Sequence, residues 1–388
     1  MKMNSFIYLS LLISFSFSLK LQIIEDNYVK LYVGNPPEER KFLIDPMAPY
    51  SYLLKDTKNS LSKQKFGEAK LNNVFGEFKG VWETDYFYLS EDKTFNIRLR
   101  YLNIYETNSV IKADGVLGLG YSDMYEDSNI YNVLKRMKHI IYGTRAVMSY
   151  DKKNKVLTIG EFPGPQFTNP HKFTLSYDVG DHYGSLVNLS RIGLTYADER
   201  KNKNTTYIEI GDNALFGLIP VIIAPANRVD FLNKNYLPHI MDPSSTSKEN
   251  SDKNKFFSDV FITKKTSKDL TTELLFDNIA YKYDYTRKNK EQLKSTIKYG
   301  DQPKNLLHNW YVGLDLIFVD RADFNYEEGY VKLYSAFAHD ITKVKLMLLL
   351  YFAIFSVIIC IILGCWLRCC CQSTSSKDYK KGEQLLDL

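Results

Sequence analysis

The chain has 388 residues, with 50 Lys+Arg against 45 Asp+Glu and a formal net charge of +5. That length predicts about two units of ~150 residues or one large β-rich unit. Apolar residues at 45% and charged residues at 24% exclude global disorder, and so small a positive excess excludes a dedicated nucleic-acid binder.

Residues 1–18 carry Lys2, an apolar run from Phe6 to Phe17, and small residues at Ser16 and Ser18. This is the pattern of a cleaved signal peptide, and the run is too short to span a bilayer comfortably. The stretch that follows is a series of short β-type runs rich in Ile, Val, Tyr and Phe. They fall at 28–33, 40–45, 51–54, 86–90, 95–105, 145–150, 155–159 and 185–189. Turn signals such as Asn35-Pro36-Pro37 and Asp151-Lys152-Lys153-Asn154 separate them. Residues 129–139 and 226–237 are the best helix candidates. The lysine-rich stretch 243–270 has little periodicity and reads as a solvated surface loop. No internal repeat is visible by identity. The body is expected to be all-β with minor helix.

Residues 346–367 form a run of 22 without a charge, long enough to cross ~30 Å of hydrocarbon at 1.5 Å per residue. Arg368, Lys377, Lys380 and Lys381 follow and predict a cytoplasmic tail, 368–388. The expected protein is a single-pass type I membrane protein with its body, 19–338, in the lumen or outside the cell. The sequons at Asn188 and Asn204 are glycosylation candidates in that orientation. All five cysteines lie in the last 30 residues, which excludes a disulfide-stapled body, a cysteine-zinc site or a cysteine nucleophile upstream. Cys369, Cys370 and Cys371 sit at the membrane edge as S-palmitoylation candidates. The terminal Leu385-Leu386-Asp387-Leu388 looks like a clathrin-box-type sorting peptide, implying clathrin or an adaptor as a partner.

Four stretches, in order, resemble the pepsin-like aspartic peptidase family. Residues 28–53, YVKLYVGNPPEERKFLIDPMAPYSYL, follow the family's strand, G-x-P-P turn, second strand and acid-bearing loop. Residues 113–121, ADGVLGLGY, follow F-D-G-I-L-G-L-G/A-Y. Residues 147–160 resemble the hairpin near the interlobe sheet, and 310–333 resemble W-I-L-G-D onwards. The resemblance implies two β-barrel-like lobes (about 28–160 and 161–335), an interlobe sheet and a peptide-binding cleft.

The family's chemistry needs two carboxylates sharing one proton: one ionised to activate water, one protonated to polarise the scissile carbonyl. Asp45 matches the first. Its loop continues Pro46-Met47-Ala48-Pro49 where the family has T-G-S, and two prolines remove donors. In the second loop Phe216 falls at the acid position, and shifting by one residue finds no acid either; Asp212 is the nearest, four residues upstream. Phe75-Gly76 stands where the family's flap has Tyr-Gly, and the flap reads as short. The six histidines show no ligand spacing, so no metal or other cofactor is expected. The leading expectation is a pseudoprotease that holds a peptide or protein segment without cutting it. A divergent active endopeptidase and a structural or sorting-receptor protein are the alternatives.

Overall fold

The computed structural model describes residues 18–383 except 26, 58, 74–75, 108–110, 121–126, 138–146, 161–169, 177–186, 198–202, 219–221, 226–227, 236–256, 264–270, 284–285, 290–291, 301–309, 318 and 336–338. Contacts divide the chain into two units, residues 1–338 and residues 339–388. Residues 1–17 of the expected signal peptide and residues 385–388 of the expected sorting peptide lie outside the described residues.

The first unit is mostly β-sheet with few helices. Its first half contains β1 (Leu19–Ile24), β2 (Tyr28–Val33), β3 (Glu38–Asp45), β4 (Tyr52–Leu53), β5 (Gln64–Asn73), β6 (Gly76–Tyr88) and β7 (Asn96–Thr107). β8 (Gly115–Gly118), helix α1 (Ile130–Arg136), β9 (Val147–Asp151) and β10 (Val156–Ile159) follow. The second half opens with β11 (His171–Thr174), β12 (Val187–Ala197), β13 (Lys203–Gly217), β14 (Ile222–Ala224) and helix α2 (Val229–Asn235). Next come β15 (Phe257–Thr263), β16 (Thr271–Phe276), β17 (Ile279–Tyr283), β18 (Thr286–Asn289) and β19 (Gln292–Gly300). β20 (Trp310–Gly313), a 3-10 turn (Leu314–Ile317), β21 (Arg321–Asn325) and β22 (Tyr330–Tyr334) complete it.

The residue pattern explains where each strand sits. β1 alternates buried Leu19 and Leu21 with exposed Lys20 and Gln22, the period of a half-buried strand. β8 and β20, Gly-Val-Leu-Gly and Trp-Tyr-Val-Gly, are buried at every position and run through the interior.

The topology repeats where the sequence does not. β3 pairs in parallel with β8, β4 pairs antiparallel with β8, and β4 pairs in parallel with β7. In the second half β13 pairs in parallel with β20, β14 pairs antiparallel with β20, and β14 pairs in parallel with β19. A six-stranded antiparallel sheet, in the order β1-β10-β9-β21-β22-β11, joins the two halves. Its central pair runs Met148 against Phe324 and Tyr150 against Ala322, and each half adds a hairpin and one outer strand.

Several expectations are corrected. The helices are shorter than 129–139 and 226–237, spanning Ile130–Arg136 and Val229–Asn235. Part of the 243–270 stretch is not loop: Phe257–Thr263 is a strand paired with β19, because its Phe-x-x-Val-Phe-Ile core outweighs the flanking lysines. The flap-like hairpin is not short; β5 and β6 have 10 and 13 residues.

The second unit is dominated by one helix, Ile341–Glu383, of 43 residues. Its stretch Lys343–Trp366 is long and apolar enough to cross a membrane, and none of it is buried against protein. The helix extends beyond the 346–367 run at both ends, since Lys, Gln, Ser and Arg carry helical propensity without hydropathy.

Candidate functional site

Asp45 is the last residue of β3, in register with Gly118 of β8. It is only 4% exposed. Its Oδ1 accepts from the N–H groups of Met47 (2.9 Å) and Ala48 (3.2 Å). The two prolines thus cost the acid nothing, because the residues between them still have N–H groups. Pro46 contributes its carbonyl instead, accepting from the Tyr326 hydroxyl of the second half at 2.7 Å. Burial pushes the Asp45 carboxyl up to about 6, and the Met47 and Ala48 N–H groups pull it part of the way back. Among the described residues the Asp45 carboxyl group has no other hydrogen bond and no ion pair.

The matching position of the second half is Gly217, the last residue of β13, in register with Gly313 of β20. Phe216 corresponds by register to Ile44, not to Asp45. Successive residues on a strand face opposite ways, so Phe216 turns into the core. It is fully buried, with its ring 4.9 Å from that of Phe276. A Cβ on Gly217 would lie 1.9 Å from the Tyr311 hydroxyl. The phenol of Tyr311 therefore occupies the space that a side chain at 217 would need. Val116 stands at the register position equivalent to Tyr311, and it is too small to do this in the first half.

Asp212 is committed elsewhere. The Arg228 guanidinium donates to both of its oxygens, Nε at 2.7 Å, and the Trp310 indole N–H donates at 2.9 Å. The arrangement braces β13 against the start of α2. Sequence reading finds Asp212 but not its partners, which lie 16 and 98 residues away.

No protein-family model matches this chain, and no curated protein is significantly similar to it.

Polar contacts lock the two halves around the Asp45 loop. Asn27, 3% exposed, takes a left-handed conformation (φ 77°) between β1 and β2. Its carbonyl accepts from Ile44 N–H at 3.1 Å, next to the acid. Its side-chain amide donates to the carbonyl of Leu218 (2.5 Å), beside Gly217, and to Asp315 (3.1 Å). The Tyr150 hydroxyl bonds both Asn27 and Asp315, and Lys152 pairs with Asp315 at 3.2 Å. Composition and motif carry no sign of Asn27; it is recognisable only from its contacts.

The remaining candidates lie on other elements or outside the described residues. Phe75 lies outside the described residues, and Gly76 opens β6 opposite Asn73. Asn188 is exposed on β12, and Ser190 of its sequon donates to the carbonyls of Leu275 (2.9 Å) and Asp277 (2.8 Å). Asn204 lies on β13, and Cys369, Cys370 and Cys371 lie on the long helix. Leu385, Leu386, Asp387 and Leu388 lie outside the described residues. Among the described residues no group of three or more His, Cys, Asp or Glu is arranged to hold a metal ion.

Chemically, one buried carboxyl accepts a hydrogen bond when ionised and donates one when protonated. It cannot do both at once, so it does not supply the paired acid and base that peptide hydrolysis by this route requires.

Proposed function

We propose that the body is a two-lobed, pepsin-like fold that has lost its catalytic pair and holds an extended peptide or protein segment without cutting it. The observation that carries this reading is the asymmetry at the two β-strand ends. Asp45 stands opposite Gly118, whereas Gly217 stands opposite Gly313 with Tyr311 filling its side-chain space. The repeated three-strand motif and the shared six-stranded sheet support the two-lobed reading.

The apolar helix supports a tethered protein, with the body lumenal or extracellular, Asn188 and Asn204 glycosylated, the tail cysteines acylated and the tail cytoplasmic. In that orientation the terminal leucines serve as a sorting signal read by clathrin or an adaptor, and the segment held by the body is cargo. A tagged chain lacking 385–388 should redistribute between compartments; an unchanged distribution removes the sorting role.

The deciding assay is cleavage of an unfolded protein by the full-length chain in neutral detergent from pH 3 to 7. The expected result is no cleavage above that of an Asp45→Asn variant at any pH. Acid-optimum cleavage that disappears in Asp45→Asn and with a statine-type peptide would establish the divergent-endopeptidase alternative instead.

A further inference from the structure

The buried acid is followed by proline, and that neighbour widens what one carboxyl can do. The nitrogen of Pro46 belongs to a tertiary amide and carries no hydrogen. Once protonated it departs as a secondary amine, a better leaving group than the nitrogen of an ordinary peptide bond. The chain has one other Asp–Pro bond, Asp242–Pro243, which lies outside the described residues.

The contacts around Asp45–Pro46 bring the carboxyl to that bond. Oδ1 accepts from the N–H groups of Met47 at 2.9 Å and Ala48 at 3.2 Å. Bonds to residues two and three positions on fold an aspartate side chain back over its own peptide group. The carboxyl is thus held beside the link to Pro46, and Oδ2 has no hydrogen bond among the described residues. The Asp45 carbonyl oxygen accepts from the Leu119 N–H at 3.0 Å. That donor is already in place for negative charge developing on the oxygen during attack at its carbon. The Tyr326 hydroxyl, donating to the Pro46 carbonyl at 2.7 Å, fixes the proline end.

Burial keeps a proton at hand. It raises the carboxyl from the ordinary 3.8 to about 6, so at pH 5 most folded chains carry the proton and few unfolded ones do. The groups bonded to residues 45 and 46 are Met47 and Ala48 of the same loop, Leu119 after β8, and Tyr326 of the second half; none is a charged side chain. Asp315 and Lys152 reach the loop through Asn27, whose carbonyl accepts from Ile44 N–H.

We propose that the chain cleaves its own Asp45–Pro46 bond, with the Asp45 side chain as the nucleophile. Oδ2 attacks the Asp45 carbonyl carbon while the carboxyl proton passes to the Pro46 nitrogen. The C–N bond breaks, Pro46 becomes a free secondary amine, and residue 45 is left as a cyclic anhydride of the succinic type. One water opens the anhydride to two carboxyl groups, so the net change is hydrolysis of one peptide bond with water as the sole co-reactant. A single acid suffices because nucleophile and proton donor are one group, held beside its target on the same residue. The cut leaves the body assembled: β1 stays paired with β10, β2 with β6 and β3 with β8. The reaction needs no bound segment and does not rest on the binding reading.

The test incubates the full-length chain in neutral detergent, without added substrate, at pH 5 and pH 8. The chain is then denatured and its fragments are read by intact mass and N-terminal analysis. A fragment beginning at Pro46 is expected at pH 5, forming at least about tenfold more slowly at pH 8. Its rate should not change when the protein is diluted, and it should exceed cleavage at Pro243. Asp45→Asn should yield no such fragment, and Pro46→Ala, which keeps the acid, should slow it by at least about tenfold. Unfolding in urea at pH 5 should slow it to the rate at Pro243. Absence of the Pro46 fragment from the folded chain overturns the proposal. So do equal rates at Pro46 and Pro243 in the folded chain, which is the ordinary lability of any Asp–Pro bond. Persistence in Asp45→Asn, or a rate that rises with protein concentration, overturns it in favour of cleavage by another molecule.

Discussion

At the residue scale, Asp45 is an acid that burial makes reluctant to ionise. A carboxyl whose folded pKa, about 6, exceeds the ordinary aspartate value of 3.8 binds its proton more tightly in the folded state. Its penalty on stability is absent below the unfolded value, grows as pH rises through the interval, and is complete above about pH 6. The interval is worth about 3 kcal/mol. Urea denaturation from pH 4 to 7 should therefore show wild-type stability falling with rising pH by up to that amount, and Asp45→Asn should remove most of that fall. A second residue-scale prediction concerns Arg321 and Asp323, both 2% exposed and joined by two hydrogen bonds of 2.7 and 2.8 Å. Ser149 (2.7 Å) and the Tyr334 hydroxyl (3.0 Å) also donate to Asp323. Arg321→Met strands a buried carboxylate and should cost about 3–5 kcal/mol in the same assay; adding Asp323→Leu should restore much of the loss. Asp45 is legible in the sequence because it follows Phe42-Leu43-Ile44 in the stretch that resembles the acid-bearing loop of pepsin-like peptidases. Tyr311 is not, because nothing in a Trp-Tyr-Val-Gly run says that its hydroxyl reaches over Gly217.

At the element scale, close approach of two backbones decides where glycine is needed. A Cβ on Gly118 would lie 2.2 Å from the Tyr50 carbonyl, which is backbone and cannot swing away. Gly118→Ala should displace the Asp45 loop and destabilise the body by about 1–3 kcal/mol or more. Gly67, on the exposed β5, has open space where a methyl group would go, with nothing within 4 Å, so Gly67→Ala should change stability by less than about 0.5 kcal/mol. Thermal and urea unfolding of the two variants side by side check both. The strands with strong alternation, such as β1 and β2, are readable from local pattern. The pairing β13–β20 is not, since it joins Ala214 to Trp310, and no local signal specifies a partner so distant in sequence. β15 is hidden because its apolar core is short and its neighbours are lysine-rich.

At the scale of the whole molecule, the chain reads as a β-rich body and a membrane-type helix, each a separate unit. Apolar side chains along the helix remain exposed, Phe352 by 68% and Leu349 by 66%, and a bilayer is the solvent that suits them. The full chain should resist alkaline carbonate extraction from membranes. A chain ending at Ala338 should be released, and Ile358→Arg, at the middle of the span, should oppose insertion by about 2.5–3.5 kcal/mol, read as a lower inserted fraction. The sequence by itself determined the β-rich class, a C-terminal run long and apolar enough to cross a membrane, and the confinement of the cysteines to that end, because these depend on composition and short-range periodicity. Tertiary structure alone decided that Gly217 rather than Phe216 is the counterpart of Asp45, that Asp212 is bound to Arg228 and Trp310, and that Asn27 ties the two halves together. Each of these is a contact between residues tens to hundreds of positions apart, and only packing brings such residues within hydrogen-bonding distance.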